Sequence, residues 1–312
     1  GSLIGFWFIS VRLWERPGSG GLVSMFAVRG GGGRFMLAVS FVVAGFACPV
    51  AEAAPQAWGG CAGWIADVSA IPTAQCSTVP VPVDWDQAAG AQVQLAMIRV
   101  PASGERIGTL MVNPGGPGAS AVETVAGMGA ALADTEIGRR FDLVGFDPRG
   151  VGHSTPELRC RTDAEFDAYR REPMADYSPA GVAHIEGLYR QLAQQCLDRM
   201  GAPFLANVGT ASTVRDMDAV RAALGDEQIN YLGFSYGTEL GAAYAEQFGD
   251  RVRTMVLDGA VDPSVDPITK TVRQMAGFQR AFDLYATDCA RSQGCPLGTD
   301  PARFVERFHQ LV

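Results

Sequence analysis

The segment that most restricts this chain is a turn with almost no room in it. Ile229–Leu232 reads as a short buried strand, and Tyr236–Phe248 reads as a helix. Between them lies Gly233-Phe234-Ser235-Tyr236-Gly237. A chain that passes from strand to helix this quickly brings the two elements into close approach, and Gly233 and Gly237 provide the space. Gly241, Ala242 and Ala243 continue a small face along the helix, so it can lie near the strand. Ser235 then stands at the C-terminal end of the strands, where open α/β sheets carry their sites. G-x-S-x-G in a strand–turn–helix setting is the geometry of an exposed serine nucleophile. The alternative is a glycine-flanked turn with an incidental serine.

The remaining pattern supplies a sheet for that turn. Gln92–Val100, Thr109–Asn113, Phe141–Phe146 and Arg253–Leu257 read as strands. Ala119–Ala133, Ala180–Met200 and Thr213–Leu224 read as helices, with Thr210 or Ser212 capping the last. Apolar strands alternating with helices predict an α/β fold, a mostly parallel sheet with helices on both faces. Glu157–Pro203 is polar and bracketed by Cys160 and Cys196, and reads as an excursion from the sheet. From Pro263 onward the pattern is helical and fits no further strand.

With 312 residues there is room for one large domain, or one domain and part of another. The net charge is −8, and 24 of the 25 basic residues are Arg, scattered without a basic run. Nucleic acid is therefore not an expected partner. Residues 1–24 contain no Met and precede an initiator-like Met25; no structural meaning is expected of them. From Met25 the order is Arg29 and Arg34, an apolar run Phe35–Cys48, then Ala51-Glu52-Ala53. That is the pattern of a secretory signal over 25–53, cleaved after Ala53. The apolar run is short for a span and Pro49 ends it, so no integral membrane span is expected in the mature chain. An uncleaved anchor is the alternative, and Gly45 argues against a lipid on Cys48. The expected location is secreted or associated with the cell envelope. Export leaves six cysteines, and pairing near neighbours gives Cys61–Cys76, Cys160–Cys196 and Cys289–Cys295.

A serine that attacks a carbonyl needs N–H donors for the resulting oxyanion. One is expected from Tyr236, the residue after the nucleophile. The other is expected from Asn113-Pro114-Gly115-Gly116-Pro117-Gly118, the loop after an earlier strand, with Gly116 the first choice and Gly115 the second. As a phosphate loop this segment fails, because no G-K-[ST] follows. Asp147 and Arg149, in the turn after Phe141–Phe146, are expected to form an internal ion pair on the site floor. Asp258 is a weaker candidate for the acid of a catalytic triad, and a structural role is expected for His153. No Cys pair has zinc spacing and His is scarce, so neither metal nor other cofactor is expected.

Four stretches together resemble exported α/β-hydrolases of the tripeptidyl aminopeptidase and prolyl iminopeptidase family. They are NPGGPG (113–118), GFDPRGVGHSTP (145–156), GFSYGTELG (233–241) and VLDGAVDP (256–263). The resemblance implies an α/β-hydrolase core over 54–264 and the beginning of a helical cap over 265–312. It implies a serine peptidase that releases short peptides from free N-termini through an acyl-enzyme on Ser235, with peptide as its partner. A carboxylesterase or lipase-type enzyme is the alternative on the same elbow, and a non-catalytic binding protein is a third reading. The family order is Ser, then acid, then His, on loops after later strands. The three histidines here are His153, His184 and His309, and none falls there. The last strands, the acid and the base are expected beyond Val312, and the chain as given is expected to be inactive, with an exposed sheet edge at its last strand.

Overall fold

In the computed structural model of the protein, residues 57–311 are described. The expected signal over 25–53 and the residues before it lie outside that range. The sheet contains β1 (Gln75–Pro82), β2 (Gln92–Val100), β3 (Gly108–Asn113), β4 (Phe141–Phe146), β5 (Ile229–Phe234) and β6 (Val252–Asp258) in the order β1-β2-β4-β3-β5-β6. β1 and β2 are antiparallel, as are β2 and β4, while β4, β3, β5 and β6 run parallel. Between the strands lie α1 (Ala121–Leu132), α2 (Glu136–Arg140), α3 (Asp163–Tyr169), α4 (Pro179–Met200), α5 (Ala202–Leu205), α6 (Thr210–Ala223) and α7 (Tyr236–Gln247).

Side-chain alternation divides the core. Along β2, Val93, Leu95 and Met97 face one layer, where Met217 of α6 and Leu240 and Tyr244 of α7 pack. Ala96 and Ile98 face the other, against Val122 and Val125 of α1 and the Cys61–Cys76 disulfide. Burial on both faces explains why the strands read as apolar runs.

The sequence pattern missed β1, because Pro80 and Pro82 argue against a central strand. They are tolerated because β1 is an edge strand, paired with β2 from Gln75↔Arg99 to Pro82↔Gln92 and bridged on its outer side by Gly59 at Cys76, away from both prolines. β6 is the opposite edge, and Val256 on it is 58% exposed.

α6 starts at Thr210 and its N-cap is Gly209, not the expected Thr210 or Ser212. The Thr210 hydroxyl is engaged elsewhere, 2.7 Å from the Tyr236 phenol.

The excursion after β4 contains α3 and α4. Ser178 caps α4 by accepting from Gly181 N, and Pro179 fits its first turn. The apolar spacing along α4 predicts a seam. Leu188, Leu192 and Cys196 are half-buried, but Val182 is exposed. The helix lies on the surface and a disulfide, Cys160–Cys196, pins it at its far end. After β6, Asp266 caps α8 (Pro267–Cys289), which packs Ala286 with Leu297 and with Phe304 of α9 (Phe304–Leu311). Cys289–Cys295 closes the turn between these two helices. No helix among the described residues is long and apolar enough to cross a membrane.

The expected Asp147–Arg149 ion pair does not form. Arg149 instead holds Asp216 of α6, with Nε donating to Oδ2 at 2.7 Å and Nη2 to Oδ1 at 2.6 Å. Both side chains are fully buried. Nη1 donates to the carbonyls of Val83 and Asn207, and Nη2 also to that of Pro82. All five guanidinium N–H groups thus have acceptors. Burial pushes the Asp216 carboxyl up, opposed by the Arg149 guanidinium and by the Trp85 indole N–H donated to it. The pair joins the end of β1, the approach to α6 and α6 itself, so it is a brace of the fold and not a site floor. Asp216→Ala leaves a buried cation without its anion and is expected to cost about 3–5 kcal/mol. Urea unfolding followed by circular dichroism checks this; a midpoint equal to wild type contradicts it. Breaking Cys160–Cys196 with paired serines is expected to cost about 2–4 kcal/mol. Here too an unchanged midpoint contradicts the assignment.

Candidate active site

The Gly233–Gly237 turn is strained in the folded chain. Ser235 has φ 51 and ψ −120, and it is the only non-glycine residue with positive φ among the described residues. Such a conformation costs on the order of 1–3 kcal/mol and persists only where its surroundings fix it. Here the surroundings do so from both sides. Ser235 N donates to the carbonyl of Asp258 at 2.9 Å. Its carbonyl accepts from Thr238 N at 2.9 Å and from Thr238 Oγ1 at 2.6 Å. Thr238 Oγ1 in turn accepts from Val261 N at 2.9 Å, and the Tyr231 hydroxyl donates to Gly237 O at 2.8 Å. Thr238 was not singled out in the sequence. A hydroxyl residue three positions after the turn serine, inside the first helical turn, was the available signal. Ser235 itself is exposed, and its Oγ makes no hydrogen bond among the described residues.

The glycine-rich loop lies against this turn because β3 and β5 are parallel neighbours, with Asn113 opposite Gly233. A Cβ on Gly115 would fall 2.3 Å from Phe234 O and 2.9 Å from Tyr236 N, and φ there is +86. A Cβ on Gly237 would fall 2.7 Å from Asn113 O. The two backbones touch, and side chains at these positions would part them. Gly115 N donates to Asn113 Oδ1 at 2.9 Å, which removes Gly115 as a free donor. The N–H groups of Gly116 and Tyr236 have no acceptor among the described residues. The Tyr236 phenol, pushed up by burial, bonds to Thr210 away from the serine.

Asp147 directly follows β4 and is fully buried. Its Oδ1 accepts from Ser120 Oγ at 2.8 Å and from Val122 N at 3.1 Å, and its Oδ2 from His153 N at 2.9 Å. It therefore sits at the N-terminus of α1, where a carboxylate meets unpaired N–H groups and the positive end of the helix dipole. His153 stacks its ring on Trp64, with centroids 5.4 Å apart. His184 bonds Glu172, and the His309 ring lies tilted beside Phe308 with centroids 6.2 Å apart. No hydrogen bond joins any of the three to Ser235 among the described residues. Asp258 meets the turn through its main-chain carbonyl, and the residue is exposed.

An exposed hydroxyl beside unoccupied N–H donors suits addition to a carbonyl carbon, since donors aimed at a developing oxyanion stabilise it most. A neutral serine also requires a base to take its proton.

Residues 108–312 match the family described as alpha/beta hydrolase fold. Carboxylesterase B of Mycobacterium tuberculosis is 63% identical over 257 residues, covering 82% of this chain and 49% of that protein. Serine protease Hip1 of the same organism is 52% identical over 258 residues, covering 83% and 49%. The tripeptidyl aminopeptidase of Streptomyces lividans is 43% identical over 220 residues, covering 68% and 39%. The chain spans about half the length of carboxylesterase B and of serine protease Hip1. The family match starts at β3 and takes in the glycine loop, the strained serine turn and the parallel strands that carry both. This chain therefore belongs to the alpha/beta hydrolase fold family.

Proposed function

We propose that the protein is a serine hydrolase that works through an acyl-enzyme on Ser235. The observation that carries this reading is the strained, exposed Ser235 beside the unoccupied N–H groups of Gly116 and Tyr236. Ser235 Oγ attacks the substrate carbonyl, and the oxygen gains charge between those two donors. The tetrahedral species collapses, expels the leaving group and leaves the acyl ester, which water then hydrolyses. The proton of Ser235 passes to a base that an acid orients, and both come from outside residues 57–311.

The substrate we assign is a peptide with a free N-terminus, from which a short peptide is released. Relatives named serine protease and tripeptidyl aminopeptidase support this. The 63% identical relative named carboxylesterase B favours a second reading, cleavage of carboxylic esters. Location outside the cytoplasm is part of the proposal. It is supported by the sequence pattern at 25–53 and by three disulfides, which persist in oxidising compartments.

A fluorophosphonate probe tests the serine. The complete gene product is expected to be labelled, and Ser235→Ala to lose the label; a label retained in the variant contradicts the assignment. Comparing kcat/KM for a tripeptidyl anilide and a short-chain nitrophenyl ester separates the two substrate readings. The peptidase reading expects the anilide to be preferred over its own uncatalysed rate by the larger factor. Residues 54–312 alone are expected to turn over neither, and turnover by them contradicts a base supplied from elsewhere.

A further inference from the structure

We propose that Asp147 is a positioning residue for the Gly116 donor, an inference that rests on the reading of Ser235 given above. The loop that carries Gly116 is shaped by Gly115, Gly116 and Gly118 at positive φ, by Pro114 and Pro117, and by Ala119 N donating to Gly115 O at 3.3 Å. Its placement against the rest of the fold is set at its ends. At the first end, Asn113 lies in β3 and its side chain accepts from Gly115 N. At the second, Ser120 caps α1, with its hydroxyl accepting from Glu123 N and donating to Asp147.

The Asp147 carboxylate makes the second anchor more than a helix cap. It accepts from the cap hydroxyl and from Val122 N together, which fixes both the position and the rotation of the first turn of α1. Its other oxygen accepts from His153 N and ties the same point to the loop after β4. No cation contacts this carboxylate among the described residues, although it is fully buried. A buried anion without a counter-ion is held by its N–H and O–H donors and the helix dipole alone. Displacing any of those donors is therefore costly, and the start of α1 resists motion. Gly116 stands four residues before Ser120, so the aim of its N–H follows from where Asp147 holds that start.

The test uses the complete gene product with Asp147→Asn, Ser120→Ala and Val125→Ala. Asn keeps the size of Asp147 but turns an N–H₂ group toward donors. The measurements are kcat and KM with a nitrophenyl ester, the rate of fluorophosphonate inactivation, and the melting temperature. Misaiming one donor is expected to lower kcat and the inactivation rate of Asp147→Asn by about 10- to 100-fold with KM nearly unchanged. Ser120→Ala, which removes one of the anchoring bonds, is expected to lose about 3- to 10-fold in the same two rates. Val125→Ala opens a cavity under the same helix and is expected to lower the melting temperature with kcat retained. Full kcat in folded Asp147→Asn overturns the inference, as does an equal loss of kcat in Val125→Ala. If Asp147→Asn does not fold, Ser120→Ala decides, and unchanged rates in it overturn the inference. A wild-type protein labelled at a residue other than Ser235 overturns the reading of that serine, and this inference with it.

Discussion

Contact between two backbones organises this molecule. β3 and β5 are adjacent and parallel, so the segments that leave their C-terminal ends must share one space. They do so only because Gly115 and Gly237 have no Cβ to collide with Phe234 O and Asn113 O. From that contact follow the tight entry into α7, the positive φ of Ser235 and the proximity of the Gly116 and Tyr236 amides. The strain at Ser235 is offset locally by hydrogen bonds from Thr238 and to the carbonyl of Asp258, which join the turn to α7 and to β6. The neighbouring strand thus supports the serine through main chain alone.

Two charged residues two positions apart, Asp147 and Arg149, diverge completely in role. Their β4 turn sends one side chain toward α1 and the other toward α6. Arg149 finds a matched carboxylate and enough carbonyls to use every N–H, so a full charge can be buried with its partner. Asp147 is buried with no cation, and the helix terminus takes that part. One holds layers of the fold together, and the other fixes the helix that follows the glycine loop.

The parts legible in the sequence are those encoded in neighbouring residues. The strand–turn–helix around Ser235, the glycine loop after β3 and the existence of the parallel strands follow from local pattern and small-residue placement. The family membership follows from the same segments. Less legible were features that depend on distant partners. Asp216 lies 67 positions from Arg149, and nothing near Arg149 points to it. β1 was hidden by Pro80 and Pro82, whose tolerance depends on edge position. Thr210 looked like a helix cap until the Tyr236 phenol, contributed by another helix, is placed beside it. Gly115 and Gly116 are equivalent as letters, and only the bond from Gly115 N to Asn113 separates them.

Attack on a carbonyl at Ser235 collects negative charge on the carbonyl oxygen, and where that oxygen lies decides which groups stabilise it. A crystal structure of the complete gene product after reaction with a small phosphonate shows this directly. The account predicts phosphorus bonded to Ser235 Oγ, with the phosphoryl oxygen about 2.7–3.1 Å from the N–H nitrogens of both Gly116 and Tyr236. An adduct on Ser235 whose phosphoryl oxygen points away from these two amides, or an adduct on another residue, would contradict it.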